Sequence, residues 1–208
     1  MKGCFIAFEG PEGAGKSTQI RHLAERLKTA GVMPVVSREP GGTSAGDAIR
    51  EVILDPQLTM TPLTEFLLYS ASRAEHVREV IGPALEANKV VISDRFAGAS
   101  VAYQGHGRGV PLAFIHDLTN QISDYLPDIT VLLDIDVELG LDRIATRGQL
   151  DRLEQADLSF HKRVRQGFLT QAKNNSSWLI FEANQAEDEL SDKLYDALYP
   201  RICAKLEL

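Results

Sequence analysis

Gly10-Pro11-Glu12-Gly13-Ala14-Gly15-Lys16-Ser17 follows an apolar run, Gly3–Phe8, and leads into an amphipathic stretch, Lys16–Ala30. The spacing, GxxxxGK followed by Ser, is that of a phosphate loop set between a strand and a helix. Its glycines let backbone N–H groups converge on phosphate oxygens, and the helix start adds partial positive charge. Lys16 is suited to reach the β- and γ-phosphates, and the Ser17 hydroxyl to ligate Mg²⁺. The expected ATP-binding residues here are Gly10, Pro11, Glu12, Gly13, Ala14, Gly15, Lys16, Ser17 and Thr18, with Lys16 also catalytic. A glycine-rich turn without function would not need strand, loop, Lys-Ser and helix in this order.

Outward from the loop, short apolar runs alternate with longer amphipathic stretches, the pattern of βαβ units. Further strands are predicted at Met33–Ser37, Val90–Ser93, Thr130–Leu133 and Trp178–Phe181, each nearly continuous in apolar residues as strands covered on both faces should be. Helices are predicted at Ser44–Leu54, Pro62–Ala87, Leu112–Tyr125, Val137–Thr146, Leu158–Ala172 and Glu187–Lys205. The fold class is therefore α/β, a three-layer arrangement with a five-stranded parallel sheet, helices on both faces and one domain over residues 1–208. Arg143, Arg147, Arg152, Arg163 and Arg165 crowd around Gly148, which predicts a basic lid over about 143–155.

Composition narrows the function. A chain of 208 residues with 44% hydrophobic and 25% charged residues has the balance of a soluble globular protein. Its net charge of −7 argues against a nucleic-acid-coating surface, so a polyanion site must be local. Cys4 and Cys203 suit neither a disulfide framework nor a zinc site, pointing to a reducing compartment. The start, MKGCFIAFEG, is broken by Glu9 too early for a signal peptide or membrane span; the expected location is the cytoplasm, without a membrane partner. A guanine box is missing, since Asn88-Lys89 runs into Val90-Val91, and Ala97 occupies the glycine position of a DxxG switch after Asp94.

The acceptor side follows from strand ends. In a doubly wound sheet these ends face the ligand crevice, which puts Asp94 and Arg95 beside the phosphate loop. Asp94 can hold Mg²⁺ through water, and the Arg95 fork suits an acceptor phosphate. Tyr69 and Arg73, four apart on one helix, share a face on which a base could stack and be hydrogen-bonded; on spacing alone such a pair is more often a packed core edge and a solvated charge.

Four motifs in order carry a resemblance: the loop with Ser17-Thr18, Arg38-Glu39-Pro40-Gly41-Gly42-Thr43, Asp94-Arg95-Phe96 with Ser100-Val101-Ala102-Tyr103-Gln104-Gly105, and Arg147-Gly148-Gln149-Leu150-Asp151-Arg152. Over nearly the whole chain the sequence resembles bacterial thymidylate kinases, P-loop nucleoside monophosphate kinases. The resemblance implies transfer of the γ-phosphoryl of ATP to dTMP, with ATP and dTMP as partners, Mg²⁺ as cofactor and a homodimer; the Pro62–Ala87 helix could lend the dimer an apolar face or equally pack that face on the sheet. It implies that Glu12 faces the 3′-hydroxyl, Tyr69 stacks on thymine where the family often has Phe, and Arg73 bonds the base O4. Ser100 and Gln104 would contact the pyrimidine edge, Arg95 would hold the 5′-phosphate, and Glu39 and Arg50 would line the pocket. The Glu39-Pro40 bond is expected to be cis. Gly13 stands where eukaryotic relatives carry a loop arginine, so the transition-state charge is expected from the lid, from Arg152 with Arg143 and Arg147 as companions. Another nucleoside or nucleotide kinase, and a P-loop regulator without an acceptor, are the competing readings.

Overall fold

The computed structural model describes residues 3–146 and 150–208. Strand β1, Cys4–Glu9, lies at the centre of a parallel sheet, between β3, Val90–Asp94, and β4, Ile129–Asp134. Strand β2, Val35–Arg38, flanks β3, and β5, Trp178–Glu182, flanks β4, giving the order β2-β3-β1-β4-β5. The expectation of five strands covered on both faces holds for the inner three. The edge strands are half exposed, Val36 at 49% and Ile180 at 51%, because each has one neighbour. Strand β2 begins at Val35 rather than Met33; Pro34 has no N–H to give the ladder.

Alternation along β1 sends Cys4, Ile6 and Phe8 to one face and Phe5 and Ala7 to the other. The first face packs on helix α1, Lys16–Thr29, through Ile20, Leu23 and Leu27, and on α9, Glu187–Leu206, through Leu190, Leu194, Leu198 and Ile202. On the second face, Phe5, Ala7 and Val91 meet Val77, Ile81 and Phe96, while Leu132 meets Phe160 and Phe168 of α8, Leu158–Lys173.

Helix α2, Ser44–Leu54, starts under a Thr43 side-chain cap, and α3, Pro62–His76, under a Thr61 cap with Pro62 in the first turn. The single helix expected over Pro62–Ala87 is divided: a π-helical turn, Val77–Ile81, joins α3 to α4, Gly82–Glu86. Pro83 lies just beyond, and the wider turn accommodates a residue that cannot donate to the ladder. A second π-helical turn, Val101–Gly107, continues α5, Ala97–Ser100. This element does not stand out in the sequence, where Gly98, Gly105 and Gly107 mask its period. Gly107 is required by packing, since a Cβ there would lie 2.6 Å from Phe160 Cε2 of α8. Helix α6, Leu112–Ile122, ends before the expected Tyr125 because Ser123 is extended and its hydroxyl accepts from Tyr125 N at 3.1 Å. Helix α7 spans Val137–Ala145.

The sheet's hydrogen bonding runs on into the loops at its C-terminal edge. Arg95 N donates to Phe8 O and Glu39 N to Asp94 O, both at 2.9 Å, fixing one loop against the end of β1 and the other against the end of β3. The Glu39-Pro40 bond is cis, as expected.

Candidate active site

The phosphate loop turns from β1 into α1 with Gly10, Gly13 and Gly15 at positive φ. At Gly13 the requirement is double. Its φ is +71°, and a Cβ would lie 2.1 Å from Gly140 O of α7; in return a Cβ on Gly140 would lie 2.3 Å from Glu12 O. Two backbones pack directly, so in this chain a side chain at position 13 would require α7 to move away. Lys16 Nζ donates to Gly10 O at 3.0 Å and to Pro11 O at 2.9 Å, its head held over the loop. Burial, then the neighbouring Arg95 charge, lowers its pKa to about 8, with Glu12, Asp94 and Glu9 opposing.

Beside it, Arg95 Nη2 donates to Glu12 Oε1 at 2.7 Å and to Tyr103 Oη at 3.1 Å, Nη1 to Gly10 O at 3.0 Å, and the Tyr103 hydroxyl to Glu12 Oε1 at 2.6 Å. The Arg95 guanidinium also lies 4.9 Å from the centroid of the Tyr103 ring. Burial would raise the Glu12 carboxyl, but Arg95, Lys16 and the Tyr103 hydroxyl outweigh it and hold the pKa at about 2. Arg95 itself has φ +71°, an unusual conformation for a non-glycine residue. The buried Glu9 carboxylate supports that turn, its Oε1 accepting from Phe96 N and Ala99 N, both at 3.0 Å.

A cavity of about 520 Å³ joins the phosphate loop, Lys16, Ser17 and Thr18 to Arg38, Glu39, Pro40, Arg50, Tyr69, Asp94 and Arg95, with Asp151, Leu153 and Glu154 closing another side. Arg50 Nη1 donates to Pro40 O at 2.9 Å. Glu39 is committed to structure: its Oε2 accepts from Arg73 Nε at 2.9 Å and its Oε1 from His76 Nδ1 at 3.0 Å. The buried Arg73 also donates from Nη2 to Ser100 Oγ at 2.9 Å, and its Nη1 has no partner among the described residues. This buried guanidinium N–H, one turn after Tyr69, still lacks an acceptor among those residues, and Arg73, Ser100 and Gln104 are buried behind the residues that line the cavity. Ser17 Oγ donates to Asp94 Oδ2 at 2.6 Å, so the two expected metal ligands meet. A hydroxyl and a carboxylate at the phosphate-loop mouth are hard oxygen donors of the kind Mg²⁺ takes together with waters and phosphate oxygens.

The lid arginines separate. Arg143 Nη1 donates to Gly13 O and Ala183 O, each at 3.3 Å, and so stays beside the phosphate loop. Arg147 lies outside the described residues. Arg152 departs from its expected place over the phosphates: its Nη1 donates to Glu65 Oε2 at 2.6 Å and its Nε to Ile53 O at 2.8 Å. The buried Glu65 carboxylate, one turn before Tyr69, captures it.

The thymidylate kinase family model matches residues 8–194. A thymidylate kinase of Deinococcus radiodurans is 54% identical over 96% of this chain and 98% of its own length; one of Halothermothrix orenii is 45% identical over 94% and 96%. The chain belongs to the thymidylate kinase family. The crystal structure of the thymidylate kinase from Ehrlichia chaffeensis aligns with a TM-score of 0.78 at 32% identity, covering 95% of this chain and 99% of that one.

Within this thymidylate kinase fold, three site residues carry no role in the sequence reading. Tyr103 lies inside a quoted motif, and its hydroxyl becomes meaningful only when β1 and β3 bring Glu12 and Arg95 together. In sequence, Glu9 only interrupts an apolar run and Glu65 carries no reading; both are buried. A carboxylate within otherwise apolar β1, and one four residues before Tyr69, were the available signals.

Proposed function

We infer that this chain is a dTMP kinase, transferring the γ-phosphoryl of ATP to dTMP to give dTDP and ADP. The observation that carries the reading is one cavity lined by the phosphate loop with Lys16 and by the paired Arg95 and Glu12 with Tyr69, so that two cations face the same space. The proposed pose puts the acceptor phosphate on Arg95 and Arg50, the 3′-hydroxyl at Glu12, thymine against Tyr69, and O4 at Arg73 Nη1, with Ser100 and Gln104 at the base edge. An acceptor phosphate oxygen attacks the γ-phosphorus in line, a new P–O bond forms, and the bond to the ADP oxygen breaks. Lys16 and Arg95 draw donor and acceptor together despite their like charge and stabilise the oxygens where charge spreads. Among the described residues of the expected lid, Arg143 is the cation bonded to the loop backbone. Mg²⁺, held by Ser17 and through water by Asp94, would neutralise the β- and γ-oxygens.

Homodimerisation, a single domain and a cytoplasmic location belong to the same proposal. Leu63 and Leu67 of α3 and Leu112 and Phe114 of α6 are exposed, and Phe66 and Phe114 meet edge to face, which supports one apolar patch across α3 and α6. Light scattering tests the dimer. A coupled ADP-release assay with dTMP, dUMP, UMP, AMP, GMP and thymidine, with and without Mg²⁺, tests the reaction. Fastest turnover with dTMP and Mg²⁺ is expected; hydrolysis that no monophosphate stimulates would favour the regulator reading.

A further inference from the structure

Glu65 is 1% exposed and lies on the helix face that presents Tyr69 and Arg73. Its Oε2 accepts from Arg152 Nη1 at 2.6 Å, its Oε1 accepts from Gln104 Nε2 at 2.9 Å, and Arg108 Nε stands 3.6 Å from Oε1. A carboxylate only accepts, so it dictates which end of the Gln104 amide turns toward it. The end left over is Oε1, which no donor among the described residues reaches.

We propose that Glu65 is a positioning and specificity-determining residue for the acceptor: it forces Gln104 to offer the base a carbonyl oxygen, and it seats Arg152 so that Asp151–Glu154 forms a wall of the acceptor cavity. The proposal rests on the dTMP reading. Thymine and uracil carry a proton on N3 and complement a carbonyl; cytosine presents a bare N3 acceptor and opposes it. Because Glu65 is charged, the orientation is enforced by more than a neutral hydrogen bond would supply. The second half follows from Arg152, whose Nε holds Ile53 O and whose backbone N meets Leu54 O at 3.3 Å, pinning the segment to the end of α2. The neighbouring turn is itself fixed, with Asp151 Oδ1 accepting from Leu153 N at 2.8 Å and Glu154 N at 2.9 Å. Glu65→Gln keeps the shape but removes the charge between two guanidiniums and supplies an amide that both donates and accepts. Gln104 is then free to turn over, and Arg152 to leave.

The test is titration calorimetry of wild type, Glu65→Gln and Arg152→Gln with dTMP, dCMP and ATP. Wild type is expected to prefer dTMP to dCMP; if it binds neither, the acceptor reading fails before any variant is considered. Glu65→Gln is expected to narrow that preference at least about tenfold, or about 1.4 kcal/mol, and to leave ATP affinity within about twofold. Arg152→Gln is expected to weaken dTMP several-fold while keeping the preference, because Glu65 still holds Gln104. An unchanged preference in a folded Glu65→Gln overturns the proposal, as does weakening of dTMP and ATP in parallel, the mark of a purely structural role. Should Glu65→Gln not fold, wild-type dTMP affinity in Arg152→Gln overturns it.

Discussion

Arg95 Nη2 and Glu12 Oε1 lie 2.7 Å apart at the junction of two strand ends, so Arg95, the cation proposed for the acceptor phosphate, and the phosphate-loop carboxylate are one charge-paired unit. The Tyr103 hydroxyl spends its proton on the same oxygen. Glu12→Gln is expected to lower kcat/KM for dTMP by roughly 10–100-fold, the scale of a hydrogen bond to a charged group, and to cost the 3′-deoxy analogue much less. Steady-state kinetics with both acceptors measures the ratio. An equal ratio before and after the change removes Glu12 from 3′-hydroxyl recognition.

Gly13 against Gly140 sets a second expectation. Gly13→Ala puts a methyl 2.1 Å from Gly140 O on a backbone at φ +71°. Overpacking and strain of this kind each cost about 1–3 kcal/mol, and here they fall on the ATP cradle. ATP KM is expected to rise at least about tenfold, with a lowered melting temperature. Wild-type kinetics in Gly13→Ala would show that α7 yields and that the Gly13–Gly140 contact does not set the shape of the loop.

The phosphate loop, the parallel sheet and most helix bounds are legible in the sequence because each rests on local pattern: a glycine spacing, apolar runs and amphipathic stretches between them. Ser44–Leu54 is found residue for residue. What escapes is what depends on distant partners. The Val101–Gly107 turn forms because Gly107 lets α8 approach, and α8 follows some fifty residues later in the chain. Arg152 shows the same limit at the site. Its position in an arginine-rich segment suggests contact with phosphates, yet a carboxylate 87 residues earlier holds it. A spacing on one helix relates Glu65 to Tyr69; nothing local relates Glu65 to Arg152.

Ser17 and Asp94 make the proposed Mg²⁺ requirement testable without touching the cations. Asp94→Asn keeps an oxygen near Ser17 but removes the charge that a hard divalent ion prefers. The Mg²⁺ concentration for half-maximal rate is expected to rise about tenfold, with dTMP affinity changed less than about threefold. A titration at saturating ATP checks this, and an unshifted midpoint would take Asp94 out of the metal site.

Glu9 yields a stability signature that depends on pH. It is fully buried; burial raises its carboxyl from 4.5 to about 7, although Arg95 and the Phe96 and Ala99 N–H groups pull the other way. Its Oε2 has no partner among the described residues. Below pH 4.5 the group is protonated whether folded or unfolded and contributes no pH dependence. Between 4.5 and about 7 the folded state holds a proton that the unfolded chain has lost, so stability falls as pH rises, and above about 7 the penalty is complete. At about 1.4 kcal/mol per pH unit, that interval corresponds to roughly 3 kcal/mol. Glu9→Gln escapes the penalty while its amide oxygen can still accept from Phe96 N and Ala99 N. The variant is therefore expected to melt roughly 5–10 °C above wild type at pH 8, with the gap closing toward pH 4.5. A thermal denaturation series between those values decides it: a gap independent of pH would mean that Glu9 does not titrate in this window, and that the Arg95 turn rests on a permanently ionised carboxylate.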